Sequence, residues 1–287
     1  MYTTIFCEVD DFCKFIEKEL ATKLLTCGKK RIRECRMEPG EVMTIMIMFH
    51  FSGYKNFKAY YQNHVCIYQR SDFHNLVSYS RFIELKQKLL LPFYMFARMY
   101  CLGKCTGISF MDSFPLKTSH IKRRHKNIKL AKVFTKGKTS TGWFRGLKFH
   151  IVINHQGEII DFGITPGNVA DNNKTVICSQ TEKLFGLLIG DKGYIGANRH
   201  IKSKKVRLIT RVRKNMKPPI MTTFEKLLLR KRGIVETVNG LLKETLSIEH
   251  SRHRSLQGIF IHIFASVAAY HFRFQKPALE ISCMLIS

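Results

Sequence analysis

The sequence predicts an α/β protein, a mixed sheet flanked by helices and preceded by a small all-helical N-terminal part. Three observations carry this. Apolar residues ahead of position 104 recur at helical spacing. From Cys105 onward, short apolar runs are cut by Gly, Pro and Asn turns, first strand after strand and then strands alternating with helices. The 287 residues are 45% apolar, enough to bury the cores of two domains. The expected boundaries are 1–104 for the helical part, 105–275 for the α/β part and 276–287 for a tail.

Taken in order, Glu38, Pro39 and Gly40 start a helix in which Val42, Ile45, Met46 and Phe49 recur at helical spacing, and Ser52 and Gly53 end it. Tyr54 to Tyr61 starts a second helix. Leu76 to Leu91 gives a third, with Phe82, Leu85 and Leu89 on one face. Three short helices with tight turns fit a DNA-binding helix-turn-helix module and fit equally well a bundle that only packs. Gly107 to Met111 is an apolar run closed by Asp112. Gly146 to Asn154 alternates between faces before a turn at His155, Gln156 and Gly157, and Glu158 to Thr165 follows, ended by Pro166, Gly167 and Asn168. These three runs suggest an antiparallel meander. A helix over Asn173 to Leu184, a strand from Leu187 to Ile189 ending at Gly190 and Asp191, a strand over Arg207 to Val212 and a long helix from Thr222 to Leu246 complete the series.

Charge narrows the function. Lys and Arg number 48 against 21 Asp and Glu, a net +27, and such an excess repels itself unless a polyanion compensates it. The apolar content excludes a disordered basic tail, leaving a folded nucleic-acid-binding protein. Nine scattered cysteines and a start lacking a secretory pattern suggest reduced thiols in the cytoplasm. The greasiest stretches, Leu89 to Leu102 and Ile259 to Ala269, are interrupted by Pro92, Arg98 and His262 and fall short of the roughly 18 residues of a membrane span. Neither Cys101 with Cys105 nor His250 with His253 has partners at zinc-site spacing, so no structural zinc is expected.

No acidic residue lies between Asp112 and Glu158, nor between Asp191 and Glu225, although both intervals are rich in Lys and Arg. Asp112 and Asp191 each close an apolar run. Two strand-end carboxylates offer hard oxygens to Mg²⁺ or Mn²⁺, whereas the plainer alternative is that each caps the next turn. Arg232, Glu236, Asn239 and Lys243, spaced four, three and four apart, share one helical face, which suits either a metal-binding Glu among phosphate-holding cations or an ordinary solvated face. Trp143 and Phe144 lie among the cations, and burial of both is expected over stacking on an unpaired base.

The chain resembles the DDE transposases of the insertion sequence 982 family. The resemblance rests on VDDFC from Val9, SGYKNFKAYY from Ser52, LVSYSRF from Leu76, GISFMD from Gly107, GKTSTGW from Gly137, TPGNV from Thr165, GDKGY from Gly190, RKNMK from Arg213, LLRKRGIVETVN from Leu228 and IEHSRHRS from Ile248. It spans about residues 9 to 277. It implies a ribonuclease H-like catalytic domain with Asp112, Asp191 and Glu236 as catalytic, metal-binding triad and Mg²⁺ or Mn²⁺ as cofactor. Arg232 and Lys243 match the basic positions of the glutamate helix, while Leu229 stands where the wider signature has tyrosine.

The activity implied is metal-dependent cleavage and strand transfer at terminal inverted repeats by a bacterial, nucleoid-associated enzyme. Its partners would be double-stranded transposon ends and target DNA, joined by a homodimer in a synaptic complex. Lys122, Arg123, Arg124, Lys126, Arg213, Lys214, Arg232 and Lys243 are the candidate DNA contacts. Two alternatives stand beside this: a decayed transposase that only binds DNA, which metal-dependent nicking would exclude, and a basic RNA-binding factor, which would prefer RNA over duplex DNA.

Overall fold

The computed structural model of the chain describes residues 1–24, 36–73, 75–119, 133–139, 142–217, 219–249, 253 and 255–280. They gather into two compact units, Met1–Cys101 with Leu242–Arg273, and Leu102–Leu241 with Phe274–Ser287.

The first unit is helical. Its opening helix α1 (Tyr2–Leu24) buries Ile5, Val9, Phe12 and Ile16, which recur at the three- and four-residue spacing of one face. That stripe is plain in the residues, yet it is absent from the expected elements. Helix α2 (Pro39–Phe49) starts at Pro39, where Glu38 and Glu41 form a capping box that satisfies the first free N–H groups.

The second expected helix begins late, as α3 (Phe57–Tyr60), because Asn56 caps it by accepting from the Lys58 N–H. It continues through a π-helical turn (Tyr61–Val65) into α4 (Cys66–Tyr68). The third is two helices, α5 (Tyr79–Lys88), capped by Ser78, and α6 (Leu90–Met99). A last helix, α10 (Leu256–His271), capped by Ser255 and buried over most of its length, also packs in this unit. Among the described residues no helix is long and apolar enough to cross a membrane.

The second unit holds a mixed sheet of β1 (Ile108–Ser119), β2 (Thr135–Thr139), β3 (Gly142–Asn154), β4 (Ile159–Pro166), β5 (Gly186–Gly190) and β6 (Val206–Thr210). The order is β2-β3-β1-β5-β6, with β4 also paired to β3. Strands β1, β2 and β4 run antiparallel to β3, while β5 runs parallel to both β1 and β6. Helices α7 (Lys174–Thr181), α8 (Thr223–Arg230) and α9 (Gly233–Gly240) accompany the sheet. Met111, Val152, Ile160, Ile177 and Leu188 belong to its buried core. The turn from β3 to β4 needs Gly157, whose φ is +74° and whose missing side chain admits the carbonyl of Pro277.

In the α/β part four features depart from expectation. Asp112 does not close a strand, since β1 continues seven residues further to Ser119. Pro115 is tolerated there because pairing of β1 with β5 ends at Phe110, leaving the proline on an unpaired edge. Strand β2 has the polar sequence TKGKT and carries no alternation that would announce it. The long helix expected over Thr222 to Leu246 is broken at Lys231 and Arg232, ahead of the poor helix former Gly233, and turns π-helical over Leu241–Thr245. Finally, Phe144 is buried as expected but Trp143 is 58% exposed.

Candidate active site

The geometry of the α/β unit follows from where β5 stops. Beyond Phe110, β1 runs on without β5, and at that point Asp112 stands opposite Ile151 of β3 while Asp191 follows the last residue of β5. Gly190 has no Cβ, which lets the Tyr194 ring pack closely against it and fixes the turn that carries Asp191. Asp191 leads into a short 3-10 turn (Lys192–Tyr194), but its side chain makes no capping hydrogen bond. Its carboxylate is therefore not consumed in holding the turn.

Helix α9 lies against β1 and carries Glu236, whose side chain is 59% exposed. Asn239 Nδ2 donates to Asp112 Oδ2 at 2.9 Å. Arg232, at the start of α9 and 13% exposed, donates to Glu236 Oε1 and lies 4.0 Å from Asp191 Oδ1. Two of the acids are thus joined through one guanidinium, and Asn239 ties the third to the same helix. Burial pushes the Asp112 carboxyl up to about 6. Asp191 and Asp171 add repulsion to that, and the Ser113 N–H and Arg232 work against it.

Asp171, in the turn between β4 and α7, was not among the residues the sequence singled out. Its Oδ1 accepts from the Ser113 hydroxyl and, at 3.1 Å, from Lys148 Nζ, which also donates to the Val169 carbonyl at 2.9 Å. Beside it, burial lowers His150 to about 4, and its Nε2 shares a 2.8 Å hydrogen bond with the Thr165 hydroxyl. Asp112, Ser113, Lys148, Asp171, Asp191 and Tyr194 line one groove of about 550 Å³. The only hint of Asp171 in the sequence is its place two residues after TPGNV, because acids in turns are common for local reasons. Asp171→Ala leaves the Lys148 ammonium with a single protein acceptor. The expected cost is about 2 kcal/mol, below that of a fully buried pair because Asp171 keeps some contact with water. An unchanged urea midpoint would show that the pair contributes nothing.

The remaining candidates fall differently. Arg213 and Lys214 are exposed in a turn after β6. Lys243 follows the change to π-helical winding, so the 3.6-residue spacing that aligned it with Glu236 does not reach it. It lies in the helical unit, with Nζ 3.5 Å from Glu249 Oε1. Lys122, Arg123, Arg124 and Lys126 lie outside the described residues.

Among the described residues, no three acids, imidazoles or thiols stand in a ready-made metal cluster. The donor chemistry nevertheless suits a hard divalent cation. The acids of the groove and of α9 offer oxygen only, and the buried Asp112 carboxyl, crowded by two neighbouring acids, favours a positive charge beside it. Arg232 supplies part of that charge from the protein itself.

Residues 102–256, more than half of the chain, match a family model described as a transposase DDE domain. No curated protein matches the chain.

Proposed function

The chain belongs to the transposase DDE-domain family, and from that premise we propose that it is the DNA transposase of an insertion sequence of the 982 family. In this reading Asp112, Asp191 and Glu236 are its catalytic acids on a ribonuclease H-like domain. The observation that carries the proposal is the linkage of three acids far apart in the chain through Arg232 and Asn239, beside a groove in a protein of net charge +27. The Arg232–Glu236 pair is one that a solvated helix face also makes, with Glu236 59% exposed; it is the reach of the largely buried Arg232 to Asp191 that links this face to β5.

Held by Asp112, Asp191 and Glu236, two Mg²⁺ or Mn²⁺ ions would supply Lewis-acid polarisation of a DNA phosphodiester. The protein's own residues do the rest. Asn239 holds one Asp112 oxygen and so fixes the direction of the other. Arg232 restrains Glu236 and Asp191 against their mutual repulsion, and its planar fork suits a phosphate that enters between them. Lys148 and Ser113 hold Asp171 at the groove wall. The partners proposed are transposon ends and target DNA, brought together by a homodimer.

Incubating the purified chain with terminal-repeat DNA and Mg²⁺ tests the reading. Nicking is expected, and binding without nicking would assign the protein to the decayed class. The charge makes its own prediction. Binding weakens steeply with salt, and replacing Arg213 and Lys214 together by Ala lowers the slope of log K against log [salt] by about 0.9 for each phosphate that the protein no longer neutralises. A slope that does not move would remove this turn from the DNA interface.

A further inference from the structure

Trp143 is the only tryptophan of the chain, and it stands on strand β3 with more than half of its surface exposed. It faces Lys138 across the β2–β3 ladder, and Lys138 Nζ lies 5.6 Å from the centre of the indole. The two strands are anchored away from their connection. Gly137, lacking a side chain, lets the Phe144 ring pack beneath β2, and a Cβ there would strike both that ring and the Gly167 carbonyl. Thr135 and Asn168 exchange two hydrogen bonds, of 2.9 and 3.1 Å, that tie β2 to the turn after β4.

The position of this hairpin gives the exposed ring a meaning. Lys138 and Thr139 line the same groove as Asp112, Asp171 and Asp191. A large aromatic face whose neighbouring cation, Lys138, lines a groove suited to phosphodiester chemistry matches the two halves of a nucleotide: a π-face to stack and a phosphate to attract. A base within duplex DNA already has its faces covered by its neighbours, so only an unpaired base can use the seat. We propose that Trp143, with Lys138, is a stacking seat for an unpaired nucleobase on the strand whose phosphodiester enters the Asp112–Asp191 groove. This rests on the DNA-cleaving reading above and adds to it a preference for frayed or single-stranded DNA at the cut.

Because the chain has one tryptophan, its emission reports on this seat alone. In EDTA, with the full chain, a short single-stranded oligonucleotide and a blunt duplex of the same sequence are each titrated while tryptophan emission and the anisotropy of dye-labelled DNA are recorded. The expected result is quenching by the single strand and little by the duplex. Trp143→Ala should bind the single strand about tenfold more weakly and the duplex almost unchanged, with Trp143→Phe in between. If labelled DNA binds but the emission stays constant, or Trp143→Ala binds both forms as before, the seat is overturned while the DNA reading stands. If neither DNA binds, both fall. A change of emission that follows protein concentration without DNA would assign the indole to a contact between copies and overturn the seat.

Discussion

Replacing Asp112 by Asn is expected to lower Mg²⁺-dependent nicking about a thousandfold, and Asp191→Asn is expected to do the same. Removing a carboxylate that supports several kcal/mol of transition-state charge stabilisation costs that much, at about 1.4 kcal/mol for each factor of ten. The two variants should differ in stability. Burial holds the Asp112 carboxyl up at about 6, so at pH 7.5 the folded protein carries an anion that it would rather not bury. Asp112→Asn removes that charge while leaving an oxygen for Asn239, and the apo protein should gain about 2 kcal/mol in urea unfolding. Asp191, half exposed, offers no such gain. Lost activity together with raised stability is the mark of a residue kept for chemistry at the expense of the fold. Undiminished nicking by either variant would remove that residue from the catalytic set.

What the sequence made legible follows from what kind of signal each element leaves. The place of Asp191 at the end of a strand was legible because a short buried run and a turn fix both ends of β5. The shared face of Arg232, Glu236 and Asn239 was legible from their spacing, and the structure turns Arg232 and Asn239 of that face toward Asp191 and Asp112. The same spacing is interrupted before Lys243, where the chain passes from α to π winding, a change that leaves no mark in apolar spacing. Asp112 was expected to close its strand, but β1 runs on past it and through Pro115 to Ser119, where β5 has already parted from β1. Asp171 depends on a turn that meets Ser113 and Lys148 only in three dimensions, and Trp143 on a polar strand partner, so neither could be reached by periodicity.

The helical unit should lose most of its stability between pH 6.5 and 4. His50 and His262 are almost fully buried with ring centres 4.6 Å apart, and His253 lies 5.5 Å from His262. The carbonyls of Leu246 and Ser247 meet His50 Nδ1 and His262 Nε2. Burial lowers His50 to about 4 and His253 to about 3, and holds His262 well below its ordinary value. Lys86 adds repulsion at His253 and His262. Because these folded-state values are depressed, the stability is intact above pH 6.5, where the unfolded rings are neutral too. It is lost as falling pH protonates the unfolded chain but not the folded one. The fall of His50 from 6.5 to about 4 alone amounts to about 3 kcal/mol, a large part of the roughly 5–15 kcal/mol that holds a domain together. Lys86 does not share this window, since burial lowers it only to about 8 and its cost is already complete at neutral pH. The helical circular dichroism signal in mild urea should therefore collapse between pH 6.5 and 4. A His262→Phe variant, which cannot charge, should move that collapse to lower pH. A midpoint in urea that stays constant from pH 7.5 to 5 would mean that the three rings are not held neutral in the folded unit.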